Sequence, residues 1–347
     1  VAGLEDLDAI MDADPALEPY RFLLESIRRD SKYLLTDREE ELFARMNISG
    51  ASAWETLRDN LTSSVKVEYN GGVTNLSAIR NLAYDPDPAV RKSAYEAELA
   101  CYDKIKDSVA FALNSIKMQV INECQVRGYA SPLDKALYQS RMKRETLDAL
   151  LGAMDEYMPK FWQYLRAKGK ALGHENGLPW YELFAPMGKS DKKYTTQDAK
   201  DYLLNIFGGF DSQLHDMVER AFDEAWIDFY PRNGKVGGAF DCGVPSARQS
   251  RVLTNFDGAF GDIVTLAHEL GHAMHSYKSD HAQAFANHDY SIMAAEVAST
   301  VNEVLLLKYL ISNETDKKRR AYLLNHFIEG FRTTLFRQTL FAEFEKE

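Results

Sequence analysis

The chain has 347 residues, 45% hydrophobic and 27% charged, with 20 Gly and 10 Pro; this composition excludes wholesale disorder and collagen-like or low-complexity chains. A net charge of −11 argues against the broad basic face that nucleic-acid binding needs. No apolar run reaches the ~18–20 residues required to span a bilayer, so neither nucleic acid nor membrane is an expected partner, and composition leaves the oligomeric state open.

The N-terminus, Val1-Ala2-Gly3-Leu4-Glu5-Asp6, lacks the basic and apolar regions of a signal peptide and lacks an initiator Met. Most of the first half reads helical. Asp85-Pro86-Asp87-Pro88 is a turn supplying a cap and a helix-compatible proline, followed by Val90, Ala94, Ala97 and Cys101 near helical spacing. A second helix is predicted over 108–126, broken by Gly128 and Ser131-Pro132. A third is predicted over 146–172, interrupted at Pro159. Thr195-Thr196-Gln197-Asp198 reads as a helix start of capping-box type. No internal repeat is evident, which sets aside a helical solenoid.

Between Phe229 and Gly261 glycines cluster, and Lys235–Phe240 and Arg251–Phe256 read as two short strands. Helical texture returns over 262–277, 291–311 and from Lys317 to the end, with no stop signal at Glu345-Lys346-Glu347. A chain cut at both ends is expected. The division expected is a helical region over 1–228 and a site-bearing region over 229–347. Three cysteines, Cys101, Cys124 and Cys242, match neither a disulfide framework nor a zinc ribbon, so a reducing, cytoplasmic setting is expected.

His268-Glu269-Leu270-Gly271-His272 is an H-E-x-x-H pattern inside a predicted helix with Asp262 as its N-cap and Ile263, Leu266, Ala267 and Leu270 on an apolar face. Residues four apart share one helix face, so both imidazoles can reach one metal ion, while Glu269 projects aside toward a water. Zinc suits such a donor set. Gly and His would follow the second His in a metzincin; His275 and Lys278 stand there instead. A carboxylate from a second helix is therefore expected as third ligand, from among Asp289, Glu296 and Glu303. Asp289 reads as loop, whereas Glu296 lies among Ala294, Ala295 and Ala298, whose small side chains allow close helix approach. Glu296, 24 residues after His272, is the choice. Glu303 lies two turns further on the same face and His275 one turn past His272, so either could support a ligand from behind. His281 and His288 fall in the predicted connecting loop, within reach of a substrate, whereas His174, His215 and His326 carry no signal.

The run from His268 to His275, followed by Ala295-Glu296-Val297-Ala298-Ser299-Thr300, resembles the oligoendopeptidase F branch of the M3 (thimet-type) zinc metallopeptidases. Gly237-Gly238-Ala239-Phe240, Val252-Leu253-Thr254-Asn255-Phe256 and Asn81-Leu82-Ala83-Tyr84 are similar to that family as well. The resemblance implies a mainly α fold, a helical bowl around a deep channel with a small sheet or hairpin beside the active-site helix. It implies one zinc ion on His268, His272 and Glu296, Glu269 as general base, and internal cleavage of short unfolded peptides. It also implies that the segments holding Gly237, Gly238, Ala239 and Val252 line the cleft and pair with peptide backbone. Family members are longer and carry a Tyr- and His-rich segment after the ligand Glu, so zinc binding with weak or no turnover by this chain alone is expected. Two rivals remain: a carboxy-terminal dipeptidase of the same class, gripping the substrate carboxylate through Arg248, Arg251 or Lys235, and a non-enzymatic helical protein. The intact Glu269 counts against the second, because a structural metal site needs no base.

Overall fold

The computed structural model describes residues 6–187, 193–232, 235 and 238–346. The chain divides into two compact units: Val1–Arg29 with Gly188–Glu329, and Asp30–Met187 with Gly330–Glu347. Both units draw on residues 1–228 and on residues 229–347, so the compact units do not follow the sequence division expected at 228/229. The fold is mainly α, with two small sheets. No helix among the described residues is long and apolar enough to cross a membrane.

In chain order the first elements are α1 (Leu7–Ala13), α2 (Arg21–Asp30), α3 (Asp37–Ser49), α4 (Ala51–Ser64), β1 (Lys66–Tyr69), β2 (Gly72–Asn75) and α5 (Leu76–Asn81). They are followed by α6 (Pro88–Tyr102), α7 (Lys106–Arg127), α8 (Pro132–Gln139) and α9 (Arg144–Ala171). As expected, Asp87 caps α6 by accepting from the Ala89 N–H, with Pro88 in the first turn. Gly128 closes α7 at φ 83°, a left-handed turn that glycine adopts without strain. The break expected at Pro159 does not occur: α9 runs through it, losing one backbone donor but keeping its helical path. Val67, Ile79, Ala94 and Cys101 form the core of the second unit where α6 packs on β1 and α5. Arg127 ties α7 to α3 through a two-pronged ion pair, Nη1 and Nη2 lying 2.7 and 2.9 Å from the Glu40 carboxylate oxygens.

The remaining elements are α10 (Thr196–Gly208), α11 (Ser212–Asp223), β3 (Ile227–Asp228), β4 (Phe240–Val244), β5 (Gln249–Leu253), α12 (Phe260–Ala282), α13 (Ile292–Asn313) and α14 (Lys317–Phe331). A π-helical stretch, Arg332–Phe336, leads from α14 into α15 (Arg337–Lys346). The Thr195 capping box forms, with Asp198 as its return partner. The strands differ from expectation. Of the strand expected over Lys235–Phe240, Val236 and Gly237 lie outside the described residues, and the strand described is Phe240–Val244, which pairs antiparallel with Gln249–Leu253. The short β3, not foreseen, runs parallel to β5 on its other side, giving the order β3-β5-β4. β5 is thus central, and β4 has one edge without a strand partner among the described residues.

α12 is the spine of the first unit. Ile263, Leu266, Ala267, Leu270 and Ala273 are fully buried among Leu203, Phe207, Val218, Trp226 and Leu306. Asp262 is not its N-cap. It sits one turn inside, where its Oδ2 accepts from the N–H groups of Asp257, Gly258 and Ala259 at 2.9–3.0 Å. One carboxylate thereby satisfies donors that the helix start leaves open.

The Arg127 ion pair holds the Glu40 carboxyl down at about 2, against an ordinary 4.5. A depressed carboxyl contributes stability above its unfolded value that is lost as pH falls through its folded value. The melting-temperature gap between the parent protein and Arg127→Met is therefore expected to be full near pH 7 and to shrink as pH drops from about 4.5 toward about 2. Thermal melts across that range check it.

Candidate active site

The site is built where α12 crosses α13. A Cβ on Gly271 would lie 2.6 Å from Ser299 Cα and 2.8 Å from the Ala298 carbonyl oxygen, closer than real Cβ atoms come. Only glycine lets the two backbones meet this closely. Fully buried Ser299 stands opposite, and buried Asn302 donates to the Ala267 carbonyl across the crossing at 3.4 Å. Helical spacing turns His268 and His272 to one face of α12, and the close crossing brings Glu296 of α13 to them.

Three donor atoms converge. His268 Nε2 and His272 Nε2 are 3.1 Å apart, and Glu296 Oε2 lies 3.4 and 3.8 Å from them. A tetrahedral metal with bonds of about 2.0–2.1 Å sets its ligand atoms about 3.3–3.4 Å apart, so these separations bracket what such an ion requires. Each of the three groups has a neighbour behind it. Glu303 Oε1 accepts from His268 Nδ1 at 2.5 Å, which leaves the Nε2 lone pair facing its neighbours. Ser299 Oγ donates to Glu296 Oε2 at 2.8 Å. His272 Nδ1 is buried without a full hydrogen bond, the nearby Ala295 carbonyl being its available acceptor. Two imidazole nitrogens and a carboxylate facing one point repel one another unless a cation or a proton lies between them. The donor set therefore fits a divalent metal.

The electrostatics agree. Burial, then the charge of His268, holds His272 below the usual histidine value and so neutral near pH 7, the form a metal ligand needs. Burial also pushes His268 down, but the hydrogen bond it donates to Glu303 and the charges of Glu303, Glu269 and Glu296 outweigh it and leave the imidazole above its ordinary value. Glu269, only 6% exposed, is raised first by burial and further by Glu296 and Glu303, against the pull of His268 and the Asp241 backbone N–H. Asp241 on β4 is a further carboxyl nearby. Burial pushes it up to about 7, a Ser250 hydrogen bond opposing and the Glu269 charge adding to the rise.

The other sequence-derived candidates scatter. His275 packs its ring on Tyr290, centroids 4.0 Å apart, rather than supporting a ligand. His281 is not in the loop: α12 continues to Ala282, and the His281 Nδ1 bonds the Tyr277 carbonyl one turn back at 2.7 Å. His288 does lie in the loop, bonded to the Phe285 carbonyl and stacked on that ring. Val252 cannot line a cleft, since it is 2% exposed in the central strand with both edges paired. Among the described residues, an edge without a strand partner belongs to β4. Gly238 turns the chain into β4 at φ 81°, its carbonyl accepting from Asn255 Nδ2, with Ala239 next to it; Gly237 lies outside the described residues. Of the basic candidates, Lys235 is committed to the Asp228 and Tyr230 carbonyls, and Arg251 to the Ser250 carbonyl and Gln249. Arg248 is exposed at the β4–β5 turn. Sequence reasoning missed Gly271, Ser299 and Asp241. The first two carried a signal, a glycine between the two His and a serine one turn from Glu296; Asp241 carried none.

The profile of Peptidase family M3 matches residues 81–347, and that of Oligopeptidase F matches residues 2–66. Oligopeptidase PepF of Bacillus subtilis is 32% identical over 337 residues, covering 95% of this chain and 50% of that protein. Group B oligopeptidase PepB of Streptococcus agalactiae is 31% identical, covering 95% and 56%. The chain thus spans about half the length of the curated relatives it matches. A solved structure of a candidate peptidase from Chlamydophila abortus superposes with a TM-score of 0.80 at 28% identity, over 96% of this chain and 57% of that one. Oligoendopeptidase-F from Enterococcus faecium shares the fold, with a TM-score of 0.68 at 24% identity over 99% and 56%.

The helix crossing makes a direct prediction. Gly271→Ala is expected to lower stability by about 1–3 kcal/mol through overpacking. Gly152→Ala, on α9 with nothing within 4 Å of the added methyl, is expected to raise it by about 0.5–1 kcal/mol. Denaturant titration of both variants reads the contrast.

Proposed function

The chain belongs to peptidase family M3, and on that premise we propose that it carries the metal site of a zinc endopeptidase acting on short peptides in extended conformation. The observation that carries the reading is the convergence of His268 Nε2, His272 Nε2 and Glu296 Oε2 within 3.1–3.8 Å. These residues would hold a single zinc ion. When bound, the ion would supply a Lewis acid that brings the pKa of a water toward ~7 and polarises the scissile carbonyl.

The chain's own residues do the rest. Glu269 takes the proton of the attacking water on a carboxylate oxygen and returns it to the leaving amine. Its burial supports this role, since a carboxyl raised above its ordinary value both accepts and releases a proton more evenly near neutral pH. Glu303 keeps the His268 proton on Nδ1, and Ser299 fixes the Glu296 carboxylate. The unpaired edge of β4 would receive the peptide as an added strand, main chain to main chain. The names of the relatives, oligopeptidase and oligoendopeptidase, support short peptides and internal cleavage. The unpaired state of Cys101, Cys124 and Cys242 supports a reducing, cytoplasmic setting. Lys235 and Arg251 are committed to neighbouring carbonyls, which weighs against their gripping a terminal carboxylate and leaves that role in the dipeptidase reading to exposed Arg248.

Mass spectrometry of a short-peptide mixture tests this. Internal cuts are expected from the zinc-loaded protein. Glu269→Gln is expected to slow them by ~10²–10⁴ with zinc content unchanged. Removal of C-terminal dipeptides alone would favour the dipeptidase, and no cuts by the parent protein would overturn the reading. Glu303→Gln is expected to weaken zinc affinity about 10–100-fold, read by competition with a chromophoric chelator.

A further inference from the structure

Three parts of the first unit meet at one serine. Ser276 lies two turns after Glu269, on the same face of α12. Its Oγ is 2.6 Å from the hydroxyl of Tyr290, which immediately precedes Ser291, the N-cap of the helix bearing Glu296. Its side chain also faces the Asp241 carboxyl on β4, near enough to favour that group's charged form. Two residues along that strand, a Cβ on Gly243 would sit 3.3 Å from Ser276 Oγ, so the strand rides directly against this hydroxyl. From the other side Ser250 Oγ on β5, 1% exposed, approaches Asp241 Oδ2 at 3.4 Å, while Asp241 Oδ1 is buried without a hydrogen bond.

We propose that Asp241, Ser276 and Tyr290 form a polar latch that holds the open-edged strand β4 at a fixed height over α12, making Asp241 a positioning residue for peptide binding. The proposal rests on the reading that this edge receives the peptide. An edge strand is hydrogen-bonded along one side only, and its position relative to the helix beneath is otherwise set by packing alone. Gly243 contributes none of that packing, having no side chain. The latch supplies what the glycine omits, and it ties the strand to the same helix that carries His268, Glu269 and His272. Through Tyr290 it also reaches the entrance of α13. A peptide added to a docked strand is presented to the reacting groups in register. A peptide added to a loose strand must first select the docked state, and its apparent affinity falls by the fraction docked.

The experiment pairs hydrogen–deuterium exchange with steady-state kinetics on the zinc-loaded protein. In Asp241→Ala and Ser276→Ala, amides of 240–244 are expected to exchange faster while those of 263–275 stay protected. KM is expected to rise about tenfold, as for a strand docked about a tenth of the time, with kcat within about twofold. Asp241→Asn, which keeps an oxygen to accept from the serines, is expected to restore both toward the parent. Unchanged exchange in 240–244 overturns the latch, as does a fall in kcat at constant KM, the mark of a merely structural loss of active protein. If the parent protein cleaves no peptide, the peptidase reading fails instead, and exchange together with melting of the same variants still decides whether the latch exists.

Discussion

Two helices touching backbone to backbone is the constraint on which the site depends. At Gly271 and Ser299 there is no room for one added carbon. Everything chemical follows from that contact. His268 and His272 share a face because of helical spacing, but a carboxylate from another helix can join them only if its axis comes close. Ser299 serves on both sides of this bargain: its small side chain permits the approach, and its hydroxyl bonds Glu296. The spacing of the three donor atoms is thus a property of helix packing before it is a property of the side chains.

Around that contact the chain gathers carboxyls in excess. Glu296 and Glu303 raise the proton affinity of Glu269, and Glu269 raises that of Asp241. Neutral His272 does nothing to balance them. Negative charge concentrated in a partly buried place favours a cation, and the same charge raises the proton affinity of His268. The same groups that unsettle one another alone become mutually consistent around a divalent ion.

What could be read from sequence divides by distance along the chain. The His268–Glu269–His272 spacing, the Asp87-Pro88 start, the Thr195 capping box and the Gly128 stop all depend on residues within four or five positions of one another, and helical geometry makes such relations legible. Glu296 lies beside the two histidines, and its small neighbours in an Ala-rich stretch are the local signal of close helix approach. Errors came where the partner is remote. Lys235–Phe240 reads as a strand in sequence, whereas among the described residues the pairing with β5 runs over Phe240–Val244. Val252 was given to the cleft, though strand order, invisible in sequence, buries it in the middle of the sheet. Asp262 was read as a cap from outside the helix, whereas the chain folds back so that it caps from within. Asp241 and Tyr290 carried no signal because their meaning lies in a contact across three elements.

The open edge of β4 has a cost that the latch also addresses. An unpaired strand edge is a template for any extended chain, including the same strand of another molecule, and proteins commonly guard such edges with an inward-facing charge. Asp241 is such a group. When two copies approach edge to edge, each brings a carboxyl that its own interior already holds with difficulty, whereas a short peptide brings nothing to oppose it. On the proposed reading, the residue that steadies the strand would also sort its visitors, leaving the edge open to small strangers and closed to its own kind.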